Sequence, residues 1–321
     1  MFQLRARIAA LAVAAVFGAA APAYASATIG SSTIGLENPH VFAQLNAAAS
    51  QSIENIALAS DGSAYVTFTF AAQVARIGRN GKVSVLQQFP APPNGDIPGF
   101  HTKIAATGIV RLPDGTLYVS VMTGLADSTG VYRILPGQKT ATKFASLPAD
   151  AFLNGLALDP RGYRLFITDS VLSTIWSVPL DGGPVTAWLT ADALAPHGTY
   201  GANGLKVHDG AVWVTNTNDG TLLRIPIEAD GGPGAIKTVA TGLTGADDLI
   251  FPGRGDTALV ALDRPSKIVA VAPDGHWNVL LTAQNGVANP TSLAIRGNTV
   301  YVDNAAFFIG SPTILAATLE R

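Results

Sequence analysis

Six polar residues recur along the chain at one position of a repeated pattern: Glu54, Thr107, Asn154, Asn203, Asp247 and Thr291. Each stands two places before an aliphatic residue that opens a short apolar run, and successive members lie 44 to 53 residues apart. All six carry a side-chain oxygen. If the six runs are arranged about one axis, those oxygens face one another, which is the shape of a metal site. Calcium takes six to eight oxygen ligands from carboxylates, amide carbonyls and water. Glu54, Asn154, Asn203 and Asp247 supply such donors, with Asp248 beside the last. Asparagine offers a neutral oxygen, so several can crowd one cation with little mutual repulsion. No histidine or cysteine occupies these positions, which argues against zinc or copper, and magnesium would keep more water. Any one of these residues alone is an ordinary turn residue. Their shared register makes the set a candidate.

The elements that must position the oxygens follow from the same repeat. A period of this size is the signature of a repeat architecture. Each unit reads as three or four short strands rich in Val, Ile, Thr and aromatics. Asp61-Gly62, Asn80-Gly81, Asp114-Gly115, Asp209-Gly210, Asp219-Gly220 and Asp274-Gly275 provide hairpin turns between them. No segment from residue 28 onward sustains a 3.6-residue apolar period. Six four-stranded units around an axis predict an all-β fold, a single six-bladed β-propeller over residues 28–321. The last unit runs out of chain after Thr313–Leu319 with no fourth strand. The segment His40–Leu45 resembles an outer strand and is expected to complete that blade from the N-terminal end, leaving 28–38 as a lead-in arm. This closure removes the exposed sheet edges of an open array. Long connections at 88–104, 190–202 and 283–290 run into strands of the polar ring, so they are placed on its face, where loops commonly shape a binding site.

Composition bounds the setting. Arg5 and Arg7, an apolar run from Ile8 to Ala21 and the small residues Ala23–Ala27 read as a secretory signal peptide over 1–27, cut after Ala25 or Ala27. The run is short for a membrane span of about 20 residues. A periplasmic or secreted protein is expected, with no membrane association after cleavage, and the absence of cysteine excludes disulfides. Cleavage takes the net charge from −2 to −4, which gives no case for nucleic acid. A monomer acting on a small molecule is expected.

With Glu54 opening the first unit, Asn154-Gly155-Leu156, Ala202-Asn203-Gly204-Leu205 and Gly245-Ala246-Asp247-Asp248, the chain resembles the calcium-dependent hydrolase propellers. These are the senescence-marker-protein/gluconolactonase family, with diisopropyl fluorophosphatase, paraoxonase and, more distantly, strictosidine synthase. The resemblance implies calcium held by Glu54, Asn154, Asn203 and Asp247, with Asp247 also as nucleophile or base, and Asp248 matches the second member of a paraoxonase-type pair. Thr107 stands where paraoxonases carry a histidine, which speaks against a histidine-dyad mechanism.

The function expected is therefore hydrolysis of a lactone or ester, with phosphotriesters suited to the same site. His101 and His197, on the long connections, are candidate acid–base residues. Asp169, Asn216, Asp263 and Asp303 are expected to support the site or its turns, and the four tryptophans to pack the blades. No Gly-x-Ser-x-Gly elbow occurs. The alternatives are a non-catalytic binding propeller with a structural axial calcium and a strictosidine-synthase-like condensing role.

Overall fold

The computed structural model describes residues 34–320 apart from His101, Pro160 and Gly162. The expected signal peptide and the first residues of the lead-in arm lie outside the described residues. Among the described residues, twenty-four strands form six four-stranded antiparallel sheets. Blade I holds β2 (Ile53–Leu58), β3 (Ala64–Phe68), β4 (Gln73–Ile77) and β5 (Val83–Gln88). Blades II to V repeat this order from β6 (Ala105–Arg111), β10 (Leu153–Leu158), β14 (Ala202–His208) and β18 (Ala246–Ile250). In blade VI the order is β22 (Pro290–Arg296), β23 (Thr299–Asn304), β24 (Thr313–Glu320) and then β1 (Gly35–Gln44). The molecule is a six-bladed β-propeller closed by an N-terminal outer strand. Among the described residues no helix is long and apolar enough to cross a membrane.

Local chemistry explains the hairpins. Asp209 and Gly210 alone join β14 to β15 (Ala211–Asn216), and both have positive φ, 43° and 66°. That is the two-residue turn whose twist matches paired strands. The apolar cores lie between sheets. Trp213, Leu249 and Val260, all buried, pack blade IV against blade V, and comparable clusters fill the other interfaces.

Closure differs from the sequence expectation in extent. β1 begins at Gly35, so residues 35–38 belong to the strand and not to a lead-in arm. Gly35 is already opposite Glu320, and the pairing continues through His40–Ala316 to Gln44–Thr313. Leu36 is buried among residues of blades V and VI, which draws this early part onto the sheet. Arg296 latches blade VI to blade I, donating to the carbonyls of Gly62, Ala59 and Ser63 at 2.7–3.0 Å.

Candidate axial site

The six polar residues sit at the same irregularity in every blade. Pairing between the innermost strand and its neighbour slips between Ile53 and Asn55, Ala106 and Ile109, and Leu153 and Leu156. It slips again between Ala202 and Leu205, Ala246 and Leu249, and Pro290 and Ser292. Each slip is a β-bulge, and each contains one of Glu54, Thr107, Asn154, Asn203, Asp247 and Thr291. A bulge breaks the strict inward–outward alternation of a strand and re-aims a side chain. Glycine at the second bulge position admits the neighbouring strand: a Cβ on Gly155 would stand 2.6 Å from the Asn203 carbonyl oxygen.

Two of the six oxygens serve the ring itself. Thr107 Oγ1 donates to the Leu153 carbonyl at 2.7 Å, and Thr291 Oγ1 to the Ile53 carbonyl at 3.0 Å. The other four stay available. Asn154 Nδ2 donates to Ser170 Oγ at 3.3 Å, and Ser170 donates to the Ala202 carbonyl. Asn203 Nδ2 donates to Thr217 Oγ1 at 2.9 Å, and Thr217 donates to the Ala246 carbonyl. Each amide nitrogen is thus fixed by a hydroxyl anchored in the next blade, which fixes the amide oxygen as well. Asn203 Oδ1 is buried with no hydrogen-bond partner. A buried polar atom of this kind costs free energy unless something satisfies it.

Glu54 and Asp247 complete the set from blades I and V. Asp247 is buried and Glu54 half-buried. Burial, then the nearby Asp263 and Asp248 carboxylates, pushes Glu54 up to about 8. Burial, then Glu54, raises Asp247 well above the ordinary carboxylate range. Among the described residues, neither carboxylate accepts a hydrogen bond from a side chain or backbone group. No three carboxylates or imidazoles among those residues gather closely enough to hold an ion by themselves. The candidate set is therefore two carboxylates with two oriented amides. Hard oxygen donors of mixed charge, one of them buried and partnerless, fit calcium.

The remaining sequence candidates fall elsewhere. Asp248, expected among the metal ligands, has both oxygens occupied: Lys206 Nζ donates to them at 2.6 and 2.7 Å, and Ser292 Oγ at 2.6 Å. The bulge separates it from its neighbour and turns it into a different polar network. His197 is exposed and lies between Asp219, 3.0 Å away, and Asp192, 3.5 Å away. Hydrogen bonding and attraction to Asp219 raise its pKa. Its polar partners are these two aspartates and none of the four ring oxygens. His101 lies outside the described residues. Asp169 accepts N–H bonds from Phe152, Val171, Leu172 and Trp176, and Asn216 donates to the Ala193 and Ala195 carbonyls. Both therefore organise connections on the ring face, as expected.

Asp263 stands closer to the chemistry. One of its oxygens is buried without a partner, and burial pushes the group up to about 6. Sequence reasoning missed Tyr200. Its pKa is raised by burial and then by Glu54, Asp247 and Asp263, which places its phenol in their field. Its ring lies 5.3 Å from Phe100 and 5.5 Å from Phe152, and those two are 4.2 Å apart. The long connections at 88–104 and 190–202, through Phe100 and Tyr200, thus join Phe152 just before β10 in an aromatic wall beside the carboxylates. Tyr200 is three residues before Asn203 on such a connection, and that proximity was the available signal.

No family model matches the sequence, and a search of curated proteins gives no match. Among solved structures, the chain is similar to virginiamycin B lyase from Staphylococcus aureus, a catalytically inactive form with quinupristin. The TM-score is 0.59 at 17% identity, over 84% of this chain and 80% of that one. It is also similar to the PQQ-bound aldose sugar dehydrogenase from Streptomyces coelicolor, with TM-score 0.65 and 14% identity over 90% and 99%. An auxiliary nutrient binding protein from Bacteroides ovatus gives 0.66 and 12% over 88% and 76%. At these identities the likeness shows the propeller fold alone, shared by enzymes and binding proteins.

Proposed function

We propose that this chain is an exported, calcium-dependent hydrolase of a lactone or ester, with a phosphotriester as a second substrate type for the same site. The observation that supports it is the partnerless oxygen set: Asn203 Oδ1 buried and unsatisfied, with the Glu54 and Asp247 carboxylates repelling one another and accepting no hydrogen bond among the described residues. A protein that buries such a set gains most when a cation joins it. Glu54, Asn154, Asn203 and Asp247 would hold the ion, and calcium bound there would polarise the substrate's carbonyl or phosphoryl oxygen.

The chain's own groups do the rest. Asp247 takes the proton from the attacking water as the water oxygen bonds the carbonyl carbon; the ester C–O bond breaks and the leaving alkoxide receives that proton. Alternatively, Asp247 bonds that carbon itself, the alkoxide leaves, and water cleaves the resulting anhydride to restore the carboxylate. Ser170 and Thr217 hold Asn154 and Asn203 in one orientation throughout, so their amides need no rearrangement during the reaction. Phe100, Phe152 and Tyr200 wall one side of the site, with the Tyr200 phenol in the field of Glu54, Asp247 and Asp263. The expected export rests on the basic, apolar and small-residue pattern of 1–27 and on the absence of cysteine.

The test is turnover of a panel of lactones, aryl esters and triesters by protein stripped with chelator and then titrated with calcium. Calcium-restored hydrolysis supports the reading. Calcium binding with no turnover of any substrate leaves the second reading, a binding propeller with a structural ion. That alternative is favoured by one observation: none of the six ring positions carries an imidazole to move a proton.

A further inference from the structure

Deeper along the innermost strands lies a second polar cluster that the proposed chemistry does not use. The second bulge residues of blades V, VI and I are Asp248, Ser292 and Asn55. Ser292 Oγ donates to Asp248 Oδ2 at 2.6 Å, and Asn55 Nδ2 approaches the same oxygen at 3.5 Å. Lys206 Nζ donates to both Asp248 oxygens at 2.6 and 2.7 Å. The Asp248 side chain is 1% exposed and that of Lys206 27%, so the lysine stem reaches in from the open side. Asp303 pairs across the strands with Ser292 and is wholly buried. Neither of its carboxylate oxygens has a partner. Its charged neighbours are Asp248, Glu54 and Lys206.

Asp303 breaks a repeat. The corresponding residues facing the bulge in blades I, III and IV are Thr67, Thr168 and Thr215. Their hydroxyls donate to the Thr107, Asn203 and Asp247 carbonyls of the next blade. The fold is served there by a donor, and Asp303 replaces it with two acceptors. The ammonium is hydrogen-bonded to Asp248, whose Oδ2 also accepts from Ser292 and is approached by Asn55, while Asp303 stays buried among the same charges without a hydrogen bond.

We propose that Lys206 is a built-in counter-cation. Held by both Asp248 oxygens next to the buried, partnerless Asp303, its ammonium takes the place of an exchangeable hard cation, and its loss opens a cation site at these two carboxylates. The ammonium is tethered, so this position stays charged whatever ions surround the protein. The inference does not depend on hydrolysis or on an ion at Glu54 and Asp247.

The test compares calcium content per chain, after equilibrium dialysis, in the parent protein and in Lys206→Met, which keeps the stem and removes the charge. The variant is expected to carry one more calcium than the parent. Lys206→Arg keeps the parent count, and Lys206→Met combined with Asp248→Asn loses the extra ion. Because the difference is read, the parent's own count does not enter, even if it is zero. Lys206→Met should also melt below the parent in chelator and recover in calcium, because an ion bound only by the native state stabilises it. If the variant folds only when refolded with calcium, the proposal stands. Equal calcium counts, or a folding defect that calcium leaves unchanged, overturn it.

Discussion

Asp247, buried, and Glu54, half-buried, are neighbouring carboxylates, yet the proposed chemistry asks different things of them. Asp247→Asn keeps the shape and one oxygen ligand while removing the charge and the proton acceptor. Turnover at saturating calcium is expected to fall by about 100-fold or more, with calcium still bound, more weakly, by calorimetry. Glu54→Gln is expected to weaken calcium binding and to regain much of its activity at high calcium. A purely structural ion predicts instead that both variants lose thermal stability together with no hydrolysis to lose, and Asp247→Asn at parent speed would remove Asp247 as nucleophile or base. His197→Ala serves as a control with unchanged rates, since its partners are Asp219 and Asp192 on the exposed rim. The metal-free protein should show a distinct pH dependence. Glu54 rises from 4.5 to about 8 on folding, so the folded state binds more protons than the unfolded chain between those values. Stability of the stripped protein is therefore greatest on the acid side of that window and falls as pH rises through about 8. Saturating calcium should flatten this slope, and melting curves from pH 5 to 9 with and without chelator would read it.

The bulge is the element that turns a propeller strand into a ligand arm. Gly155 makes this testable away from any charged group. A Cβ there would meet the Asn203 carbonyl oxygen at 2.6 Å and the Leu205 nitrogen at 2.7 Å. Both are backbone atoms of the neighbouring innermost strand and cannot swing aside. Gly155→Ala is expected to cost about 1–3 kcal/mol, as overpacking does, and to lower calcium affinity because it displaces Asn154 and Asn203 together. An equal loss of stability with unchanged calcium affinity would show that the ring geometry tolerates the shift. Much of this element was legible in the sequence. The polar residue two places before an aliphatic one gave the blade count, the register and the four oxygens, because that spacing recurs in every unit. The bulge itself was not legible, since a broken alternation of one residue looks like any polar strand start. For the same reason Asp248 read as a partner of Asp247, although the structure gives it to Lys206, 42 residues earlier in the chain. Tyr200 and Asp303 were legible only as types, because their significance comes from neighbours supplied by other blades.

At the scale of the molecule, the ring is joined by β1 against β24. Leu36 and Ala43 are buried, and Phe42 lies edge-on to Tyr301 at 5.2 Å. Gln44 Nε2 and the Leu45 nitrogen both donate to the Pro312 carbonyl, at 3.1 and 3.0 Å. Removing residues 1–44 should leave the outer edge of β24 unpaired. The truncated chain is expected to melt several degrees lower and to self-associate with rising concentration in size-exclusion chromatography. A monodisperse protein of parent stability would show that β1 is dispensable. The same pairing fixes an order of events during synthesis. His40 is made well before its partner Ala316, so at typical elongation speeds the strand waits on the order of ten seconds to a minute for its place. During that time it must neither collapse nor recruit another chain. Its composition answers this: Glu37, Asn38, His40, Val41 and Gln44 are exposed even in the finished fold, Pro39 removes a donor, and the pairing is interrupted twice. A strand so poorly suited to pairing with strangers is able to remain unpaired until its own late-made neighbour exists.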